Sequence, residues 1–171
     1  MSWSGVCDAN GRATGSGIAE WRLGGRVDQS EGEYRDGKKN GRGSYRSSRG
    51  DRYTGDFRDD KFHGRGTMIF ARGGRYDGEW RDGKANGRGA FKFPTGARYE
   101  GEWKDDKQNG RGTMTFPDGN WYEGEWRDGR ANGRGVYTRI DGNRFSGEWK
   151  DSCFRDGRRV ASIGRPLSDC E

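Results

Sequence analysis

Apolar residues are scarce in this chain, 27% of its 171 positions, where an ordinary globular domain carries roughly 45–50%. That shortage excludes a thick core of two interdigitating layers, because little surface is available to offset the entropy lost on folding. No apolar run approaches the about 20 residues of a membrane span. The opening MSWSGVCDANGR has no apolar stretch of the kind a secretory signal needs, and Asp8 with the early glycines speaks against a transit peptide. Three cysteines, Cys7, Cys153 and Cys170, are odd in number and offer neither a disulfide framework nor a CxxC metal spacing, so a reducing compartment is the simpler expectation. No segment shows a 3.6-residue period, which leaves helix only for the tail.

Catalytic and cofactor patterns are equally thin. The single histidine, His63, falls where the chain elsewhere places Asn40, Asn86, Asn109 and Asn132, so it reads as a turn residue. No serine or cysteine has a base near it in the pattern, and no glycine-rich phosphate loop opens a helix. The run Asp105-Asp-Lys107-Gln-Asn109-Gly110 fails as a calcium loop, with lysine at the third position and Phe116 where a glutamate belongs. The expectation is a protein that is not an enzyme and uses no metal or cofactor.

What the chain has in abundance is glycine, at 33 positions, charge, at 35%, and rings, at 13% with 7 Trp. Low hydrophobicity with high charge leans toward disorder, but disordered chains are poor in aromatics. Large rings bury much area per residue, so a thin core built of rings is possible. The net charge of +6, from 33 basic and 27 acidic residues, permits an acidic partner such as lipid headgroups, nucleic acid or a tubulin-like surface without requiring one.

Self-comparison organises these residues. YDGEWRDGKANGRGAFKFPTGAR from Tyr76 returns as YEGEWKDDKQNGRGTMTFPDGNW from Tyr99 and as YEGEWRDGRANGRGVYTRIDGNR from Tyr122. Related units start at Ser30 and Tyr53, and a decaying one at Phe145, all at a period of 23 residues. One column is glycine throughout: Gly32, Gly55, Gly78, Gly101, Gly124, Gly147. Another is a ring throughout: Tyr34, Phe57, Trp80, Trp103, Trp126, Trp149. Two more glycine columns run through Gly41, Gly64, Gly87, Gly110, Gly133 and through Gly43, Gly66, Gly89, Gly112, Gly135. Upstream, Trp3-Ser-Gly5 and Gly15-Ser-Gly17 look like a degraded unit, as expected where a terminal repeat caps the array.

Each unit reads as a β-hairpin. YEGEW alternates ring, charge, glycine, charge, ring, the period of two of a strand with one covered face. GRGTMTF would present Gly110, Gly112, Met114 and Phe116 to the same face, and the flanking Asp-Gly and Pro-Asp-Gly-Asn segments are turn chemistry. Glycines inside strands normally weaken a sheet. Beside the tryptophan column they are explained if rings lie flat over them. The fold expected is all-β, an elongated single sheet of antiparallel hairpins, one per repeat, with residues 1–29 as a degenerate cap, 30–158 as the array and 159–171 as a tail.

Three charged columns follow the same period. Acidic residues occupy Glu33, Asp56, Glu79, Glu102, Glu125 and Glu148, and arginines Arg42, Arg65, Arg88, Arg111 and Arg134. The plainer reading pairs them across each hairpin, with Glu33 opposite Arg42 if Gly32 lies opposite Gly43, at about 0.2–1 kcal/mol per pair. The turn cations Lys38, Lys61, Lys84, Lys107 and Arg130 could instead meet an anionic phospholipid surface together. Asp36, Asp59, Asp82, Asp105 and Asp128 flank the same turns and cancel much of that field. The Gly-Arg-Gly runs evoke RNA-binding segments, but each sits at one phase of a structural unit, so nucleic acid is set aside.

Period, glycine columns and ring column together resemble the MORN repeat (membrane occupation and recognition nexus) over residues 30–158, more weakly from about residue 3. Departures fall at Ser30, Asp60, Asp106 and beyond Cys153. The resemblance implies a scaffold, similar to radial-spoke head and other cytoskeletal members, located in the cytoplasm at the cytoskeleton or the axoneme of a cilium or flagellum. Its partners would be proteins of a multi-subunit assembly, with a homodimer through open strand edges also permitted. The residues expected at the protein interface are Tyr76, Trp80, Tyr99, Trp103, Tyr122 and Trp126, which would also form the ring ladder. The two roles agree if each ring is covered on one side only.

Overall fold

The computed structural model describes residues 2–170. Two short strands, β1 (Ser2–Trp3) and β2 (Val6–Cys7), pair with a long β3 (Ala13–Leu23), which is followed by β4 (Arg26–Arg35) and β5 (Lys38–Arg46). Then come β6 (Arg52–Arg58), β7 (Lys61–Ile69), β8 (Arg75–Arg81), β9 (Lys84–Lys92), β10 (Arg98–Lys104) and β11 (Lys107–Thr115). The last strands are β12 (Trp121–Arg127), β13 (Arg130–Thr138), β14 (Arg144–Lys150), β15 (Cys153–Asp156) and β16 (Arg159–Ser162), with a short 3-10 turn at Leu167–Cys170. From β3 onward, sheet order is chain order, so the fold is one open antiparallel sheet of hairpins. The chain divides into two compact units, Met1–Ala85 and Asn86–Glu171.

Turn chemistry explains the hairpins. The short turn places two successive residues at positive φ, as in Asp82 and Gly83 at 51° and 86° or Asp128 and Gly129 at 50° and 83°. That pair of angles is the type I′ turn, whose twist matches the strands it joins. Asp60 and Ser152, which stand where glycine is usual, hold φ of 66° and 67° and use their side chains. Asp60 Oδ1 accepts from Lys39 N at 2.8 Å, and Ser152 Oγ from Ala131 N at 3.2 Å, bracing each turn on the hairpin before it. The Asn column does similar work, since Asn86 and Asn132 accept from the backbone N–H of Asp105 and Asp151. His63 departs from the turn expected for it: it lies in β7, opposite Asp56.

A second irregularity lies inside each hairpin. Gly101 pairs with Gly112, but the next matched pair is Trp103 with Gln108, so β11 carries two residues more than β10 across this bulge. Gly110, at φ 84°, supplies the backbone angle the bulge needs. The Glu102 carboxylate caps it by accepting the Arg111 N–H at 3.0 Å. The hairpin-internal Glu–Arg pairing expected from the sequence is therefore corrected. The bulge takes Arg111 out of line with Glu102 and aligns it with Glu125 of the following hairpin, as it aligns Arg88 with Glu102 and Arg134 with Glu148.

One face of the sheet is polar and the other carries the rings. Among the described residues the largest fully buried side chains are Tyr53, Tyr76, Tyr99, Tyr122 and Phe154, with Trp80, Trp103, Trp126 and Trp149 nearly so. The C-terminal tail adds β16 to the sheet and is then clipped back: Ile163 N donates to Ser152 O, and a disulfide joins Cys153 to Cys170. This overturns the expectation that the cysteines form no bridge, for their spacing of 17 residues gave no sign that the tail returns to β15. Cys7 is free and exposed.

Candidate functional site: the ring face and its open end

The six rings expected at an interface are all buried in the chain itself. In the second unit, Tyr99 lies flat across the glycine pair: a Cβ added at Gly112 would meet Tyr99 Oη at 2.3 Å and Cζ at 2.5 Å. Its hydroxyl donates to Glu102 O at 3.0 Å. Trp103 and Trp126 stand edge-on to the same ring, with centroids 5.2 Å away in each case, and Tyr122 is held likewise between Trp126 and Trp149. Each indole also donates backward, Trp103 Nε1 to Gly89 O at 3.0 Å and Trp126 Nε1 to Gly112 O at 3.1 Å. So it is the tyrosine, not the tryptophan, that covers the glycines, and the tryptophans wedge the tyrosines in place. The first unit repeats this: Tyr53 covers Gly55 and Gly66, with Phe57 and Trp80 edge-on, while Tyr76 meets Trp80 at 5.0 Å.

Burial of these phenols in apolar surroundings raises their pKa, that of Tyr99 above the ordinary tyrosine value and that of Tyr122 with it; nearby Glu102 and Glu125 carboxylates add to the effect. The rings therefore stay neutral at any physiological pH.

All five turn cations are exposed. Acids of the next turn partner the two in the second unit. Lys107 Nζ is 3.7 Å from Asp128, and Arg130 is 3.5 Å from Asp151, each the acid of the next turn. In the first unit Arg58 takes Asp82, 3.2 Å away, and Lys38 and Lys61 have no ion pair among the described residues.

The repeat that starts at Ser30 is built differently. With serine in the tyrosine column, no ring covers Gly32 and Gly43. Lys39, 2% exposed, lies there instead: a Cβ on Gly43 would meet its Cε at 2.5 Å. Its ammonium donates to Ser30 Oγ, to Glu31 O at 2.7 Å and to Ser44 O, and rests 4.1 Å from the Phe57 ring centre. Burial pulls its pKa down to about 8, against the charges of Glu31 and Asp60, which act upward.

The same unit holds an apolar part of the ring face that stands open. β3 and β4 pair for nine residue pairs, from Gly15 with Tyr34 to Leu23 with Arg26, and bring Trp21 opposite Asp28. Alternation from the buried Ala19 puts Trp21 and Leu23 on the ring face. Yet Trp21 is 39% and Leu23 85% exposed. Beside them a groove of about 410 Å³ is floored by Tyr45, Phe62, Met68 and Phe70 and edged by Arg26, Asp28, Arg49 and Asp51. Tyr45 Oη donates to Asp28 at 2.7 Å, a bond that helps hold the Asp28 carboxyl below the usual carboxylate range. Burial first, and then that bond, push the Tyr45 phenol up to about 12. None of these residues stands out in the repeat. The available signal was IAEWRL running into Gly24-Gly25, an alternating strand that outlasts its neighbours.

A sheet of hairpins in which each repeat is closed by the next is the architecture of a repeat module. Residues 31–52, 53–75, 76–98, 99–121 and 122–144 each match the family model described as the MORN repeat, and the chain belongs to the MORN-repeat family. Repeats of this family are interaction modules for proteins and membranes. No curated protein matches the chain. Among solved structures, the TCP domain of SAS-4 (dCPAP) in complex with a proline-rich motif of Ana2 (dSTIL), from Drosophila melanogaster, is 13% identical, covers 86% of this chain and 90% of that chain, and superposes with a TM-score of 0.46. No helix among the described residues is long and apolar enough to cross a membrane.

Proposed function

We propose that this chain is a structural scaffold, a non-enzymatic subunit that holds a protein partner within a larger assembly. The observation that carries the reading is the open end of the ring face in the first unit. There Trp21 and Leu23 stand exposed beside a groove lined by the exposed Phe70, on a face whose ladder rings Tyr53, Tyr76 and Trp80 are buried. An apolar cluster of this kind beside arginines has the composition of an interface centre. The six buried rings Tyr76, Trp80, Tyr99, Trp103, Tyr122 and Trp126 serve the partner indirectly, as the rigid bed that fixes the strands. The setting, cytoskeleton or the axoneme of a cilium or flagellum in the cytoplasm, rests on the resemblance to stand-alone members of the family.

Native fractionation of the source cell tests this, with non-ionic detergent first and high salt second. Retention in the detergent-insoluble, salt-resistant pellet, with cross-links from the first unit to another protein, is the result expected. Release by salt alone would move the function to anionic phospholipid at Lys38, Lys61, Lys84, Lys107 and Arg130. Cross-links to a second copy alone would make the open end a homodimer contact.

A further inference from the structure

The groove of the first unit has an uneven supply of hydrogen-bonding groups. Its two carboxylates are occupied from within. Asp28 accepts Tyr45 Oη at 2.7 Å on one oxygen and Ser48 N at 2.8 Å on the other. Asp51 accepts Ala71 N at 2.9 Å on one and Ser47 Oγ at 3.2 Å on the other. The two guanidiniums are not: Arg26 and Arg49 are exposed and make no hydrogen bond or ion pair among the described residues. Arg49 acts on Asp28 only at a distance, lowering its carboxyl as the least of several causes. Each guanidinium offers five N–H donors and no acceptor. A ligand entering here therefore finds two guanidiniums with unpaired donors, while every carboxylate oxygen already accepts one bond, and the floor of Tyr45, Phe62, Met68 and Phe70 asks for an apolar group.

Shape narrows the class further. The volume of about 410 Å³ is in the range of small-molecule sites, but the apolar surface does not stop at the groove. Beyond Asp28 and Arg26 at its edge, the same face carries Trp21 and Leu23, their partners across the β3–β4 ladder. Those two side chains are about 6.6 Å apart along the strand, the spacing at which an extended peptide presents alternate residues. Resting on the docking reading above, we infer that the occupant is an extended segment of a partner protein in which a large apolar side chain enters the groove and an adjacent Asp or Glu pairs with Arg26 and Arg49. A bidentate carboxylate bond to either arginine would add direction to a contact whose area comes from Trp21, Leu23 and Phe70.

The test uses the full chain as bait for a displayed library of random linear peptides, followed by fluorescence-anisotropy titration of the enriched peptides. The expected consensus sets a large apolar residue within two positions of a carboxylate. Binding should fall about tenfold or more in Arg26→Glu/Arg49→Glu, the scale of a central arginine contact, and also in Leu23→Ser. It should return when the peptide carboxylate is changed to lysine against the charge-reversed chain. Both positions are exposed, and an unchanged near-ultraviolet dichroism from the ring ladder would show that the fold survives. Enriched peptides that lack a carboxylate, lose affinity in Leu23→Ser and ignore the arginine reversal would overturn the acidic partner while leaving the docking face intact. Peptides that ignore both variants, or a chain that self-associates through Leu23 by sedimentation and enriches none, would overturn both.

Discussion

Two glycine pairs at the same phase of the repeat are covered by different means. At Gly101 and Gly112 a tyrosine ring lies over the backbone, donates one hydrogen bond and is gripped by two tryptophans. At Gly32 and Gly43 the cover is a lysine, whose alkyl chain takes the room of the ring and whose ammonium takes the place of the phenol. The regular solution is apolar and indifferent to pH. The irregular one carries a charge that burial makes expensive to keep. What the array needs at this position is thus a flat or linear apolar cover ending in a donor, and the repeat accepts more than one residue that provides it.

The largest expected effect breaks the regular solution. Trp103→Ala removes a ring wedged on Tyr99 and the indole bond to Gly89 O, and should cost about 3–5 kcal/mol in urea unfolding. A cost under about 1 kcal/mol would show that Tyr99 holds its place unaided. Next comes Gly112→Ala, whose Cβ would collide with Tyr99 Oη at 2.3 Å; about 1–3 kcal/mol of overpacking is expected.

Converting one solution into the other is a finer probe. Ser30→Tyr alone puts a ring where Lys39 lies and should destabilise. Joined with Lys39→Ala it recreates the pairing seen at Tyr76 with Ala85 and Tyr122 with Ala131. The double-mutant cycle should show a favourable coupling of about 0.5–3 kcal/mol, and additive effects would mean the two side chains do not share the site.

The smallest effect is in pH. The folded value for Lys39, about 8, lies below its ordinary 10.5, so between these values the unfolded chain holds a proton that the folded chain lacks. Stability should therefore rise from about pH 8 toward 10.5 and be level below that window. The tyrosines act oppositely, because phenols raised above 10 in the fold make stability fall once the unfolded chain ionises there. Lys39→Met should abolish the rise and leave the fall; a rise that persists would assign it to another group.

Much of this was legible in the sequence because it is written in local chemistry. Asp-Gly pairs, Pro-Asp-Gly-Asn and the alternation of YEGEW fix turns, strands and the two faces without reference to distant residues. The ring over the glycines was misassigned because Tyr99 and Trp103 share a face, and spacing does not say which side chain bends back. The partner of Arg111 was displaced because a bulge at Gly110 changes the register on one side of the strand and not on the other. The Cys153–Cys170 bridge depends on a returning tail that repeats nothing. The open groove escaped notice for a related reason: its edge at Arg26 and Asp28 lies in the overlong β3–β4 hairpin, where the period fails.

The backward indole bond has a consequence for how such a chain can change its length. Trp80, Trp103, Trp126 and Trp149 each reach a glycine carbonyl 14 residues earlier, in the repeat before their own. Each repeat is thus finished by its successor, and all such junctions are interchangeable. Excising residues 99–121 would join Arg98 to Tyr122 and leave every junction of the same kind as before. Excising one residue more or fewer would turn all later rings to the opposite side of the sheet. Gene duplication or loss in whole repeats is therefore structurally silent, whereas a slip of a single codon is not.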